Sequence, residues 1–151
     1  MVFIRLASAL DVAAVTDLLW SAREAAVPSV PPVVGNYERM HSWLRHRLTD
    51  ATDCWVTEDA QGLTALLLLE PGWIDQLYVR PDVLGQGIGS ELVAKAKELM
   101  PDGLELWTFQ SNPRAHKFYE RHGFTAVERT DGSGNEEREP DVRYVWTPLG
   151  L

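Results

Sequence analysis

The sequence predicts one α/β domain, and three observations carry that prediction. Strand-like and helix-like patterns follow one another in the order β-α-α-β-β-β-α-β-α-β-β. Residues 63–69 form an apolar run of strand length broken only by Thr64, the pattern of a central strand covered on both faces. A glycine-rich turn at residues 85–89 then leads from a strand directly into an amphipathic helix. The 151 residues are enough to bury a core without disulfides or metal. Cys54 is the only cysteine, so no internal disulfide can form, and its place in an apolar run beside Trp55 reads as a buried small hydrophobe.

Residues 2–6 read as the first strand. Ser8 and Asp11 then form a capping-box pattern that opens a helix with Val15, Leu18, Leu19 and Ala22 on one face, and Pro28, Pro31 and Pro32 end it. A second helix over residues 36–48 places Met40, Trp43, Leu44 and Leu48 on its apolar side. Strands follow over 54–58, 63–70 and 73–79, with a turn at 59–62 between the first two. A third helix over 87–100, a strand over 104–109 and a fourth helix over 112–122 come next. Strands over 124–130 and 143–147 close the domain, joined by the polar, acidic segment DGSGNEEREP, which is expected to be a mobile loop. Neither an internal repeat nor an interdomain linker is visible.

The glycine-rich turn is built for an anion. Gly85, Gly87 and Gly89 alternate with Gln86 and Ile88, so at three positions no side chain keeps an extended phosphate from the main chain. The helix opening at about Ile88 adds unpaired N–H groups and the positive end of its dipole. Two common phosphate motifs do not fit. A dinucleotide fingerprint requires glycine where Ser90 stands, and a Walker A loop requires a lysine that is absent.

The stretch LYVRPDVLGQGIGSELV, residues 77–93, instead resembles the acyl-CoA signature of the GNAT superfamily of N-acetyltransferases, [R/Q]-x-x-G-x-[G/A] preceded by LYV-x-P. Gly87 and Gly89 match. Leu84 stands at the arginine or glutamine position, which removes one side-chain donor and leaves the backbone donors in place. A second segment, NPRAHKFYERHGF, is similar to the family's later N-x-x-A-x-x-F-Y-x-x-x-G-F element, with Asn112, Ala115, Phe118, Tyr119, Gly123 and Phe124 all in place. In it, Asn112 has the character of an N-cap, Pro113 of a first helical residue and Gly123 of a left-handed C′ residue.

The resemblance implies a mixed, mostly antiparallel sheet of six to seven strands with flanking helices. It implies acetyl-CoA as acyl donor and a primary amine, on a small molecule or a peptide, as acceptor. It assigns the pantetheine arm to the main chain of Leu77, Tyr78 and Val79, with the Val79 N–H facing the thioester carbonyl where this strand splays from its neighbour. It assigns the diphosphate to Leu84, Gly85, Gln86, Gly87, Ile88, Gly89 and Ser90, a coenzyme contact to Asn112, and the general acid to Tyr119. For the base, strand alternation places Asp75 on the face of Leu77 and Val79, with His41 and Glu70 in reserve. Trp20, Tyr37 and His41 lie on the first two helices, where the family builds its acceptor site, and Trp43 could join them as an aromatic wall around a cation.

Lys+Arg 14 against Asp+Glu 22 leaves a net charge of −8, which argues against general binding to nucleic acid or anionic membrane and would attract a cationic acceptor. No signal-peptide pattern or apolar stretch of membrane-spanning length is present, so the expected location is the cytoplasm. His41 and His46, and His116 and His122, are not spaced to share a helix face, so no metal site is expected. The acceptor's identity stays open, as does assembly, a homodimer included. A non-catalytic acyl-CoA sensor is the alternative, prompted by Leu84.

Overall fold

The computed structural model describes residues 2–49 and 53–148. Within them the chain forms β1 (Ile4–Leu6), α1 (Val12–Ala26), α2 (Tyr37–Thr49), β2 (Cys54–Asp59), β3 (Gly62–Glu70), β4 (Trp73–Val79), α3 (Ile88–Leu99), β5 (Leu104–Phe109), α4 (Pro113–Arg121), β6 (Thr125–Arg129) and β7 (Asp141–Trp146). The seven strands make one sheet in the order β1-β2-β3-β4-β5-β7-β6. Every neighbouring pair is antiparallel except β4 and β5, which are parallel and connected through α3. The mixed, mostly antiparallel sheet implied by the sequence is therefore present.

The apolar run in β3 sits where both faces of the sheet are covered. Ala65, Leu67 and Leu69 join Leu92, Val93 and Ala96 of α3 in one core, whereas Leu66 and Leu68 join Val15, Leu18 and Leu19 of α1 and Leu44 and Leu48 of α2 in the other. Successive β3 side chains point to opposite faces, so a fully apolar strand is what two helical layers require. The Ser8–Asp11 capping box forms as expected. It caps a short 3-10 turn that leads into α1, with Ser8 N–H donating to Asp11 Oδ2 at 2.8 Å. Arg5 fixes the same aspartate with two hydrogen bonds of 3.0 Å, and holds its carboxyl below the usual range.

Two expectations are corrected. Trp43 does not join the apolar side of α2. It is exposed, with the Arg47 guanidinium 5.7 Å from its ring, while Met40, Leu44 and Leu48 carry the burial. The acidic residues of the segment over 131–140 meet arginines from the first two helices. Arg39 donates to Glu136 at 2.7 Å and Arg23 to Glu137 at 3.4 Å, and Asn135 Nδ2 bonds the Glu139 carbonyl and Asp141. Those last bonds, with Thr130 donating to Asp141, start β7 at Asp141, two residues before the pattern suggests.

Cys54 lies fully buried on β2, where burial, reinforced by the charge of Asp53, pushes its thiol up to about 12. A protonated, enclosed thiol does not react. The native protein should leave a colorimetric disulfide reagent unreacted at pH 8 and release one thiol on unfolding, so rapid titration of the native state would contradict this packing.

Candidate active site

The site begins with a failure of pairing. β4 and β5 are bridged only at Trp73 and Glu105, where the Glu105 N–H also donates to the Gly72 carbonyl at 2.9 Å, and beyond that point the strands separate. On the other edge of β4, the Arg80 N–H donates to the Thr64 carbonyl at 2.7 Å, and the register Ala65↔Val79, Leu66↔Tyr78, Leu67↔Leu77 runs on from it. In an antiparallel pair alternate residues exchange both bonds with the partner strand. Tyr78 is thus in phase to bond β3, while Leu77 and Val79 turn their main-chain groups toward the gap left by β5.

That gap opens into a cavity of about 890 Å³. Its walls include Leu77 and Tyr78 of β4, Thr108 of β5, and Asn112, Ala115 and Tyr119 at α4. Ser133, Gly134, Asn135 and Glu137 of the loop between β6 and β7 form another wall, and Arg23 enters from α1.

Past Val79 the chain makes a 3-10 turn at Pro81–Val83 and reaches the glycines. Arg80 braces this bend, its Nη2 donating to Asp59 at 2.8 Å and its Nε to Asp82 at 2.5 Å. Gly85 and Gly87 have φ of +81° and +87°, and a Cβ on either would meet no atom within 4 Å. Both glycines therefore meet a conformational demand and leave an open surface, with Leu84 and Gln86 exposed beside them. Gly87 is the N-cap of α3, so the N–H groups of its first turn, from Ile88 through Ser90, start at this surface. Gly89 serves packing instead, because a Cβ there would sit 3.2 Å from the Phe118 ring. The Ser90 hydroxyl is engaged by His122 Nε2 at 3.0 Å, a partner the sequence did not suggest.

Asn112 caps α4 as its sequence predicts, its side chain accepting from the Ala115 N–H at 3.3 Å. On that helix Tyr119 is buried, with ring centroids 5.1 Å from Phe118 and 5.5 Å from Phe124. Burial, with the neighbouring Tyr78 adding to it, pushes the phenol well above its ordinary value, so it stays protonated over any working pH.

Asp75 lines the same cavity, but not for the reason of strand alternation. The register shifts from Leu68↔Gln76 to Leu69↔Ile74, making Asp75 the extra residue of a bulge. Ile74, Leu77 and Val79 all pack toward α3, whereas Asp75 accepts from Arg47 of α2 at 3.1 Å. The bulge has re-aimed it to the α2 side. Burial raises its carboxyl above the ordinary value, Arg47 pulls it back, and Glu70 raises it further.

Trp20, Tyr37 and His41 are not among the residues that line the cavity. They form a cluster of their own where α1 meets α2, with Trp20 edge-on to Tyr37 at 6.0 Å, Tyr37 stacked on His41 at 6.3 Å, and the Tyr37 hydroxyl donating to Asp17 at 2.5 Å. Arg23 and Thr108 are among the lining residues that went unnoticed in the sequence. Both are buried, and Arg23 Nε and Thr108 Oγ1 have no hydrogen-bond partner. Helical spacing identified the face Arg23 shares with Ala22 and Leu19 only as core, and β5 alternation could have flagged Thr108 as an inward hydroxyl. Among the described residues no group of His, Cys, Asp or Glu could hold a metal ion, and no helix is long and apolar enough to cross a membrane.

The family model described as acetyltransferase (GNAT) family matches residues 12–124, and the chain belongs to that family. Among curated proteins it is 37% identical over 78 residues to the peptidyl-lysine N-acetyltransferase YjaB of Salmonella typhimurium, covering 51% of this chain and 53% of that one. It is 38% identical over 69 residues to an uncharacterized N-acetyltransferase of Archaeoglobus fulgidus, covering 43% and 46%. The chain thus spans about half the length of the curated relatives it matches. In fold it is similar to the apo form of YjaB from Escherichia coli, with a TM-score of 0.77, 21% identity and 99% of each chain covered. It is likewise similar to a PaiA N-acetyltransferase of Thermoplasma acidophilum in complex with coenzyme A, with a TM-score of 0.67, 19% identity and 97% and 99% covered.

The loop wall of the cavity depends on one glycine. Gly132 has φ +84°, and a Cβ there would lie 2.3 Å from the Glu139 carbonyl carbon. Gly132→Ala should lose roughly 1–2 kcal/mol from the backbone alone, and more from the overlap. Urea melts that coincide with those of the unaltered protein would refute this packing.

Proposed function

We propose that this protein transfers an acetyl group from acetyl-CoA to a primary amine by direct attack within a ternary complex. The observation that carries the reading is the unpaired edge of β4: two main-chain positions, Leu77 and Val79, turn toward the gap left by β5, and the cavity there is lined by Leu77 and by a buried, protonated tyrosine. Membership of the acetyltransferase family supports it, as does the open turn at Gly85 and Gly87.

In this reading the acyl donor supplies an activated thioester, and the chain positions it and handles charge and protons. Backbone N–H groups from Gly85 to Ser90 hold the diphosphate at the start of α3, aided by the helix dipole. Leu77 and Tyr78 align the pantetheine arm, which lies along β4 as an added strand would, and Asn112 and the unpartnered Thr108 hydroxyl offer polar contacts from the opposite wall. The Val79 N–H donates to the thioester oxygen as charge develops there, a contribution of a few kcal/mol. The neutral amine nitrogen bonds the carbonyl carbon, the carbon–sulfur bond breaks, and Tyr119 gives its proton to the departing sulfur. Asp75 accepts the amine proton through water, its raised carboxyl and its place in the cavity favouring that role over a purely structural ion pair.

Acetyl-CoA at a hundredfold its dissociation constant should stabilise the protein by about 2.7 kcal/mol, and Gly87→Glu, which fills the open turn and adds negative charge, should abolish that shift in a thermal melt. An unchanged shift in the variant would place the diphosphate elsewhere. Tyr119→Phe should lower kcat by roughly 10²- to 10⁴-fold in a thiol-release assay. Because the phenol sits above its ordinary value of about 10, the rate should climb as the amine deprotonates and show no descending limb below about pH 10. Full turnover by Tyr119→Phe across that range would remove the acid assignment, and stabilisation by acetyl-CoA without turnover of any amine would favour a sensor.

A further inference from the structure

We infer that the acceptor is an amine that carries its own carboxylate, a free α-amino acid or a close relative, and that Arg23 is the residue that selects it. This rests on the acyltransferase reading above and names the substrate class of the same cavity. Arg23 is the single basic side chain lining that cavity among the described residues, in a wall that otherwise offers Glu70, Asp75, Glu128, Glu137 and Asp141. It is only 8% exposed. A guanidinium so enclosed loses hydration on every donor, and each donor needs a replacement partner.

The replacements are incomplete. Nη2 donates to the Pro31 carbonyl at 3.1 Å and to Glu137 at a long 3.4 Å, while Nε is buried with no partner at all. Arginine presents its donors as planar forks that match a carboxylate with two parallel bonds, and here one arm of a fork is buried without a partner in a side chain that lines the cavity. Glu137 sits on the loop over 131–140, so the single contact it makes to Arg23 is one that an entering carboxylate can share or take over as the loop adjusts.

Placement relative to the chemistry agrees. Arg23 comes from α1 and Tyr119 from α4, and both line the cavity at the gap between β4 and β5. Tyr78 lines the same cavity, its phenol raised by burial and opposed by the charge of Arg23. The acceptor's carboxylate on Arg23 and its nitrogen toward the carboxylates of Asp75 and Glu70 would orient a zwitterion within the cavity. A diamine satisfies only the acidic half of this arrangement and leaves the guanidinium fork unmet.

The test uses matched acceptors: each of several L-amino acids beside its decarboxylated amine and its carboxamide, together with a peptide bearing an internal lysine, all read as acetyl-CoA-dependent thiol release and confirmed by mass of the product. The unaltered protein should prefer the amino acid by roughly 10- to 100-fold in kcat/KM, the range expected for hydrogen bonds to a charged group. In Arg23→Gln and Arg23→Lys that ratio should collapse toward one, mainly through KM. Because removing a buried guanidinium can cost folding, the preference of the unaltered protein stands as an independent arm. Equal or better turnover of the amine, the carboxamide or the peptide overturns this inference and leaves the acyltransferase reading intact, and so does a ratio unchanged in a folded Arg23→Lys. Turnover of no acceptor, with or without acetyl-CoA binding, overturns both.

Discussion

The parting of β4 from β5 after a single bridge is the constraint on which the rest of the molecule depends. Main-chain donors and acceptors inside a protein must find partners, and sheets normally supply them along both edges of an interior strand. Here the second edge of β4 is deserted beyond Trp73 and Glu105, so the groups at Leu77 and Val79 are reserved for water or for something that lies in the gap. Parallel neighbours need a crossover, and α3 is that crossover. The end of β4, the glycine turn and the start of α3 therefore follow one another directly, gathering the free strand edge and the free helix N-terminus within one short stretch of chain.

Around this gap the two helical layers contribute unequally. The α3 and α4 side is apolar and closely packed, with Phe118 against Gly89 and Tyr119 wedged among aromatic rings, and it offers one protonated phenol. The α1 and α2 side is rich in charge. There Arg47 gathers Glu70 and Asp75 at 3.1 Å each, with Asp53 at 3.7 Å, while Arg23 stands apart with its fork half filled.

Much of this was legible in local pattern. β4 and β5 run over the residues their alternation marks, α3 opens at Ile88 within the glycine-rich turn, and Asn112 caps α4 because an asparagine followed by proline favours that geometry. What escaped depended on pairing and on contacts between distant segments. The bulge at Asp75 is created by register against β3, and nothing in WIDQLYV alone announces that one residue is supernumerary. Ser90 looks free until α4 brings His122 to it. Trp20, Tyr37 and His41 are aromatic and sit on the right helices, yet they satisfy one another at the helix junction. Arg23 shares a face that reads only as core, and its partners come from the distant loop and from Pro31.

The lone bridge at Trp73 and Glu105 also divides the sheet mechanically. Strands β1 to β4 form one ladder and β5, β7 and β6 another, and the seam between them is held by helix packing far more than by hydrogen bonds. Local opening follows such boundaries, so the two ladders are expected to exchange their amide hydrogens as separate units. A molecule wedged along the seam would knit them into one, so its occupancy would be recorded as slowed exchange in strands it never touches.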